Sequence, residues 1–427
     1  MAGIAHVITP DSASGAQVID GSLKFNDDFK TNLSRSVSTA GNRRTWTFSC
    51  WLKKSKLYAD SSYQNLFSSL NTGTIQFDTI DQLRIYDNAG GATREANSIR
   101  MRDTNGWYHI VVKFDTTQDT DTNRVFIYLN GEDISKKTGS WPSQNYQSPF
   151  NAAQTHYLGT SSDSNNYLPG LLSQVYLIDG AALGPENFGF TDPLTNTWKP
   201  KKYKHRRDLY GVTWSSALVG DASGFQSAAL AADGFDGEVG TSNNQYAQNN
   251  TGSNPSTITF TPVGGIKFNS SIQVYLINAA NTVNVNGEGA QTIAANEWVT
   301  VKTGSGTLNT LVFSRPTTGG ASFAGIRVDG HILIDAQNDN SFYLPFDGNS
   351  PIGKDQSGNG NDWTPVNFGG SVALDNPQVS GARPILNTTQ GGTQAGVGVF
   401  GSKQNVGYAV TVYNDGGGNK YYIDGVK

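Results

Sequence analysis

An all-β chain of stacked antiparallel sheets is predicted by three features of the sequence. Apolar residues recur with period two in many short segments, the pattern of a strand with one buried face. Asn-Gly and Asp-Gly pairs follow several of these segments, as hairpin turns require. Composition agrees: 15% of the 427 residues are charged, against roughly a quarter in an average soluble protein, and Gly accounts for 49. The surface must therefore be polar and uncharged, built from Ser, Thr, Asn, Gln and Gly. No segment of ten or more residues reads as an amphipathic helix, and Ala182–Phe188 is at best one helical turn.

Taken in order, the first strong strand is Thr45–Leu52, with Trp46, Phe48, Cys50 and Leu52 on one face. Trp107–Phe114 follows, with Tyr108, Ile110, Val112 and Phe114 together. Arg124–Leu129 runs into Asn130-Gly131, and Leu172–Ile178 ends at Asp179-Gly180. Further strands are expected at Ile258 and Phe260, at Ile272, Val274 and Leu276, and at Val283 and Val285. Trp298–Val301, Leu311–Phe313 and a hairpin from Ile326 to Asp335 complete this group. Their spacing near ten residues is that of a small β-sandwich. Residues 364–407 are rich in Gly, Ser, Gln and Asn and read as an extended arm. Tyr408–Tyr413 and Lys420–Asp424 bracket a Gly-rich turn, which makes a C-terminal hairpin.

Other classes lose ground on simple counts. A formal net charge of −4 does not suit a bulk nucleic-acid binder. A single cysteine, Cys50, excludes an internal disulfide framework and a Cys-rich zinc site. No stretch approaches the about 18 apolar residues of a membrane span. The N-terminus lacks the basic and apolar regions of a secretory signal, so the chain is expected to stay in the cytoplasm until release or assembly.

Four segments in order resemble a laminin-G-like, concanavalin A-like sandwich over about residues 20–195: Ser22–Asn26, the strand from Trp46 to Leu52, the block from Trp107 to Gly131, and Leu158-Gly159 with Pro169–Leu172 and Tyr176–Gly180. Trp107 and the Asn130-Gly131 turn would pin neighbouring strands. Leu33–Ser36, Ala40–Thr47, Trp198–Tyr203 and Lys354–Trp363 further resemble segments of laminin-G-like virion proteins of marine bacteriophages. In such proteins the Trp-Lys-Pro-Lys-Lys segment leads soon into a Phe-Tyr-Leu strand. Here Phe342–Leu344 comes about 130 residues later, so an inserted module is expected. The expected division is an N-terminal arm (1–19), a laminin-G-like sandwich (20–208), an inserted sandwich (209–339), a return strand with an Asn/Gly turn (340–363), the arm (364–407) and the hairpin (408–427).

The resemblance implies contact with partners rather than chemistry. A glycan depolymerase on the same fold needs two carboxylates across the scissile bond. The glutamates 95, 132, 186, 238, 288 and 297 are scattered singly, and no Gly-x-Ser-x-Gly elbow occurs. Five histidines are present (His6, His109, His156, His205, His331), and His109 on its strand reads as a packed sheet residue. Sugar rings dock on aromatic faces flanked by amides, which singles out the loop aromatics Tyr58, Tyr63, Trp141, Tyr146 and Tyr167; packing of the loops is the alternative role. Lys199, Lys201, Lys202, Lys204, Arg206 and Arg207 put six cations into nine positions, a field for an anionic partner or a charged linker. Asp115, Asp119, Asp121 and Asn123 carry part of a calcium-loop spacing, but Arg124 stands where the loop's Gly belongs. Asp355 and Asp362 flank a second such turn. No cofactor is expected to be required, and calcium is the metal these spacings would suit.

The expected protein is therefore a non-enzymatic phage virion component, a tail or capsid fibre or decoration protein that presents sandwiches to host-surface glycans. Other virion proteins and further copies of the chain, as a trimer or another homo-oligomer, are the expected partners. A depolymerase, or a decoration protein without ligand, are the alternatives.

Overall fold

The computed structural model describes residues 16–57, 63–70, 72–87, 92–135, 140–162, 166–251, 254–368, 410–414 and 419–423. Among them every strand pairing is antiparallel, and helix is confined to 3-10 turns such as Pro185–Asn187. The all-β expectation holds.

The first sandwich stacks two seven-stranded sheets. One runs Leu23–Phe25, Gly170–Asp179, Thr45–Lys54, Tyr108–Asp115, Val125–Leu129 and Glu132–Asp133, with Phe342–Leu344 also paired to Gly170–Asp179. The other runs Thr364–Val366, Asn32–Ser36, Thr155–Leu158, Gln64–Ser69, Gly73–Phe77, Gln82–Asp87 and Ala92–Arg100. Period-two alternation sends Trp46, Phe48, Cys50 and Leu52 into the core beside Ile110, Val112 and Phe114. Trp46 lies opposite Phe114 in register and stacks on it at 4.9 Å. Phe48 stacks on Phe67 of the facing sheet at 5.0 Å. Burying each such side chain stabilises the fold by about 1.5–3 kcal/mol.

Asn130 and Gly131 both have positive φ (49° and 87°), the geometry of a type I′ turn. The turn links Val125–Leu129 to Glu132–Asp133, and Asn130 Oδ1 accepts from His109 N at 2.8 Å, tying it to the neighbouring strand.

The Thr45–Lys54 strand is buried on its outer side too. Thr47 Oγ1 donates to the Ala181 carbonyl, and a small apolar cluster of Val111, Tyr176, Ile178, Leu183, Phe188 and Tyr343 forms under the segment that leaves the sheet. That segment continues into the second sandwich. One of its sheets runs Leu218–Gly220, Ser256–Phe260, Leu311–Arg315, Thr282–Val285 and Ala290–Thr292; the facing one runs Trp298–Thr303, Ser271–Tyr275, Gly325–Val328 and His331–Ile332. Its separate core includes Ile258, Phe260, Val274, Val283, Phe313 and Ile326. The chain re-enters the first sandwich where it left, because Leu344 pairs with Val175 and Phe342 with Leu177.

One expectation is corrected here. Residues 364–366 are not part of an arm; Thr364–Val366 pairs with Asn32–Ser36 as an edge strand, where Pro365 costs no ladder bond inside the sheet. The rest of the expected arm, apart from Asn367 and Phe368, lies outside the described residues. Of the C-terminal hairpin, Val410–Asn414 pairs with Asn419–Ile423.

Candidate functional site

The outer face of the second sheet groups aromatic, cationic and amide side chains in one cluster. In Gln82–Asp87, Leu83 and Ile85 enter the core, so Arg84 and Tyr86 face outward. In register, Thr74 lies opposite Tyr86 and Gln76 opposite Arg84; Ser68 follows opposite Thr74, and Tyr157 opposite Ser68. The Arg84 guanidinium lies over the Tyr63 ring at 4.2 Å and 5.4 Å from the Tyr86 ring. The Gln76 amide oxygen accepts from Arg84 Nη2 and Nε at 2.6 and 2.8 Å, and its nitrogen donates to Asn65 Oδ1 and Thr74 Oγ1. A Tyr–Arg–Tyr stack thus rests on a buried amide layer, which fixes the rings and leaves their outer parts half-exposed.

Of the five predicted aromatics, Tyr63 belongs to this stack. Tyr167 lies half-buried beside Asn166, whose Oδ1 accepts from Tyr63 N at 3.1 Å. Trp141 and Tyr146 pack against the first core, and Tyr146 OH donates to Asp87 Oδ2 at 2.6 Å. Tyr58 lies outside the described residues. Arg84, Tyr86 and Tyr157 were not singled out from sequence. Period two places each of them opposite a core residue, a usable signal once the strands are known.

The predicted calcium ligands are not brought together. Asp115 is fully buried and faces the second sandwich, where both its oxygens accept from Arg327 Nη2 at 2.8 and 2.7 Å. Thr117 Oγ1 and Gln118 Nε2 donate to it as well. Burial opposes its ionisation, but Arg327 and these donors outweigh burial and hold it below the ordinary carboxylate range. Asp119 offers its backbone carbonyl to Arg124, and Asp121 and Asn123 form a 3-10 turn. Among the described residues no three His, Cys, Asp or Glu side chains are grouped to hold a metal. In the second turn Asp355 accepts from Tyr343 N, Ser357 N, Ser357 Oγ and Asn361 N, and Asp362 accepts from Lys354 Nζ and Asp355 N.

The basic run is stitched into the protein rather than displayed whole. Trp198–Pro200, which contains Lys199, pairs with Gly189–Thr191. Lys201 Nζ donates to the Glu186 carbonyl, and Lys202 lies 5.6 Å from the Tyr343 ring. Arg206 is held by Asp208, Asp329 and the Lys267 carbonyl, so its charge serves the junction of the sandwiches; Lys204 and Arg207 are exposed. His109 is stacked between Trp51 and Trp198. Its Nδ1 accepts from Trp198 Nε1 at 2.9 Å, so the proton sits on Nε2, which donates to Ser49 Oγ at 3.0 Å. Burial pushes it down to about 3, which keeps it a neutral packing residue.

With this geometry described, residues 26–186 match the family described as the concanavalin A-like lectin/glucanases superfamily, in its laminin-G branch. The first sandwich is a laminin-G-like domain. Two strands that complete its sheets, Phe342–Leu344 and Thr364–Val366, come from outside the matched range. Among solved structures, the mouse laminin α1 domains LG4-5 are similar at 11% identity over 78% of this chain and 95% of that one, with a TM-score of 0.28. A Bacteroides ovatus protein described as a candidate carbohydrate binder is similar at 12% identity, TM-score 0.30; the match covers 44% of this chain and spans 59% of that protein. A heptameric pentraxin from Limulus polyphemus is similar at 14% identity over 38% of this chain and 77% of that one, TM-score 0.27. No curated protein matches in sequence. No helix among the described residues is long and apolar enough to cross a membrane.

Proposed function

We propose that the chain is a non-enzymatic attachment protein that binds glycans through its laminin-G-like domain, as a fibre or decoration component of a bacteriophage virion. The observation that carries the glycan reading is the Tyr63–Arg84–Tyr86 stack over the Gln76 and Asn65 amides. Flat ring faces beside fixed amide donors and acceptors suit a sugar, whose faces are apolar and whose edge is hydroxyl. The virion role rests on the resemblance of Trp198–Tyr203 and Lys354–Trp363 to phage segments. Low charge and many copies on one particle suit adhesion by weak, repeated contacts, and a homo-oligomer, a trimer first, fits that use.

A glycan array tests the binding: the intact chain is expected to retain a defined set of glycans, and Tyr63→Ala to lose about tenfold in affinity. Release of new reducing ends from a bound polysaccharide would overturn the non-enzymatic reading. Immunogold labelling of particles locates the chain, and native mass measurement gives the copy number.

A further inference from the structure

Where the chain returns from the second sandwich, three segments distant in sequence wall a cleft of about 560 Å³. They are Arg35–Thr39 at the end of the Asn32–Ser36 strand, Asn338–Asn340 before Phe342–Leu344, and Gly360–Thr364 at the start of the edge strand. The volume lies within the usual range of small-molecule sites.

Its floor is fixed. Arg35 Nη1 donates to the Asn340 carbonyl at 3.1 Å, and Nη2 to Asn340 Oδ1 and Asn361 Oδ1 at 3.2 and 2.5 Å. Asn340 Nδ2 donates to the Thr39 carbonyl, and Asn361 Nδ2 to the carbonyls of Asp339 and Ser341. The charges around it are already engaged: Asp339 Oδ2 faces His205 Nε2 at 2.6 Å, and Asp362 Oδ2 takes Lys354 Nζ at 2.7 Å. The groups left to a ligand are neutral. The side chains of Ser38, Thr39, Asn338 and Thr364 are exposed on the rim and make no hydrogen bond to a described residue.

We infer that this cleft is a second glycan site, one that takes a neutral sugar residue. The inference rests on the glycan reading above and adds a place and a sugar class to it. A concavity with a hydrogen-bonded floor, rimmed by three hydroxyls and one amide, matches a ligand that carries several hydroxyls on a small ring. An acidic sugar would meet the carboxylates of Asp339 and Asp362 on the lining, and the charge of Arg35, whose guanidinium donates to the Asn340 and Asn361 oxygens, is set against the nearby carboxylates of Asp355, Asp179 and Asp339. Among the described residues no aromatic side chain lines it, so each contact is a polar exchange with water and a single site binds weakly.

Saturation-transfer NMR on the full chain tests this with glucose, galactose, N-acetylglucosamine and glucuronic acid at millimolar concentration. At least one neutral sugar is expected to give transfer at least fivefold stronger than glucuronic acid. Thr39→Trp, which fills the mouth, should cut that signal at least fivefold, and Asn338→Ala with Thr364→Ala should do the same. Melting curves confirm that each variant is folded, and the double variant decides if Thr39→Trp is not. Signals unchanged in the variants, or strongest for glucuronic acid, overturn the cleft while array binding by the intact chain leaves the broader reading standing. A chain that binds no glycan on the array and gives no transfer with any of the four sugars sinks both.

Discussion

The two sandwiches are built alike inside and differently outside. Each closes an aromatic core between antiparallel sheets, with Phe48 on Phe67 in the first and Phe313 on Phe323 at 4.4 Å in the second. The outer face of the second sandwich's five-stranded sheet bears Val219, Thr257, Thr259, Asn284, Val312 and Ser314, with no charge and no ring among them. The first sandwich has one sheet buried on its outer side and the other carrying the Tyr63–Arg84–Tyr86 stack. The glycan reading proposed above places recognition on the laminin-G-like domain and its junction, with the second sandwich packed against it through Arg327 and Asp115.

That contact is the first place to break the comparison. Arg327 of the second sandwich reaches Asp115 of the first, its guanidinium carbon 3.8 Å from the centroid of the Trp298 ring, and Trp298 Nε1 donates to Thr117 Oγ1. Asp115→Ala leaves a buried, unpaired guanidinium and is expected to destabilise the chain by about 3–5 kcal/mol. Urea unfolding should then split into two transitions where the parent shows one. Asp115→Leu with Arg327→Met should recover most of the loss, because an apolar pair needs no desolvated charge to be compensated. A single unchanged transition in Asp115→Ala would mean that the sandwiches are joined elsewhere.

Acid should separate the two regions next. Burial holds His109 at about 3 and His156 at about 4 within the first sandwich, and His331 at about 3 in the second. All three lie below the free value of about 6.5, so the unfolded chain takes up protons first as pH falls. The stability these histidines contribute is therefore full above about pH 6.5 and is lost below it, by about 1.4 kcal/mol per pH unit for each. Burial pushes Asp179 of the first sandwich and Asp236 of the second up to about 7, so each contributes in the opposite sense and gains stability as pH falls from about 7 toward about 4. Two such histidines against one raised carboxyl act in the first sandwich, and one against one in the second, so the first should weaken with falling pH between about 6 and 5 while the second stays nearly level. Urea titrations read by proteolysis and peptide mapping resolve the regions, and His109→Gln should remove about one proton from the slope. Equal slopes in both regions would contradict the assignment.

How far the sequence disclosed this molecule depends on the range of each interaction. Period-two alternation exposed the strands around Trp46, Ile110 and Val175, because core burial dictates it residue by residue. Thr364–Val366 was missed because Pro365 in a three-residue run argues against a strand, and only its edge position permits it. Asp115 read as a metal ligand because local spacing cannot reveal an arginine 212 positions away. The Arg206 charge was visible, but its carboxylate partner Asp329 arrives from a distant hairpin. Tyr63 was found by its loop, whereas Arg84 and Tyr86 became a site only when register set them beside it.

The smallest effect on stability should accompany the largest effect on binding, and this sharpens the contrast most. Tyr63 and Arg84 are half-exposed, and a cation over an exposed ring contributes about 0.5–1 kcal/mol. Tyr63→Ala should therefore shift the unfolding free energy by no more than about 1 kcal/mol. Arg84→Ala costs somewhat more, because the Gln76 oxygen loses two donors in a buried layer. Both variants should nevertheless weaken glycan retention about tenfold, since the ring and the guanidinium are the parts of the stack that reach solvent. Thr257→Ala, on the uncharged face of the second sandwich, should alter neither quantity measurably. If Thr257→Ala weakened retention while Tyr63→Ala did not, recognition would lie on the second sandwich, and the division of labour between the two regions would be reversed.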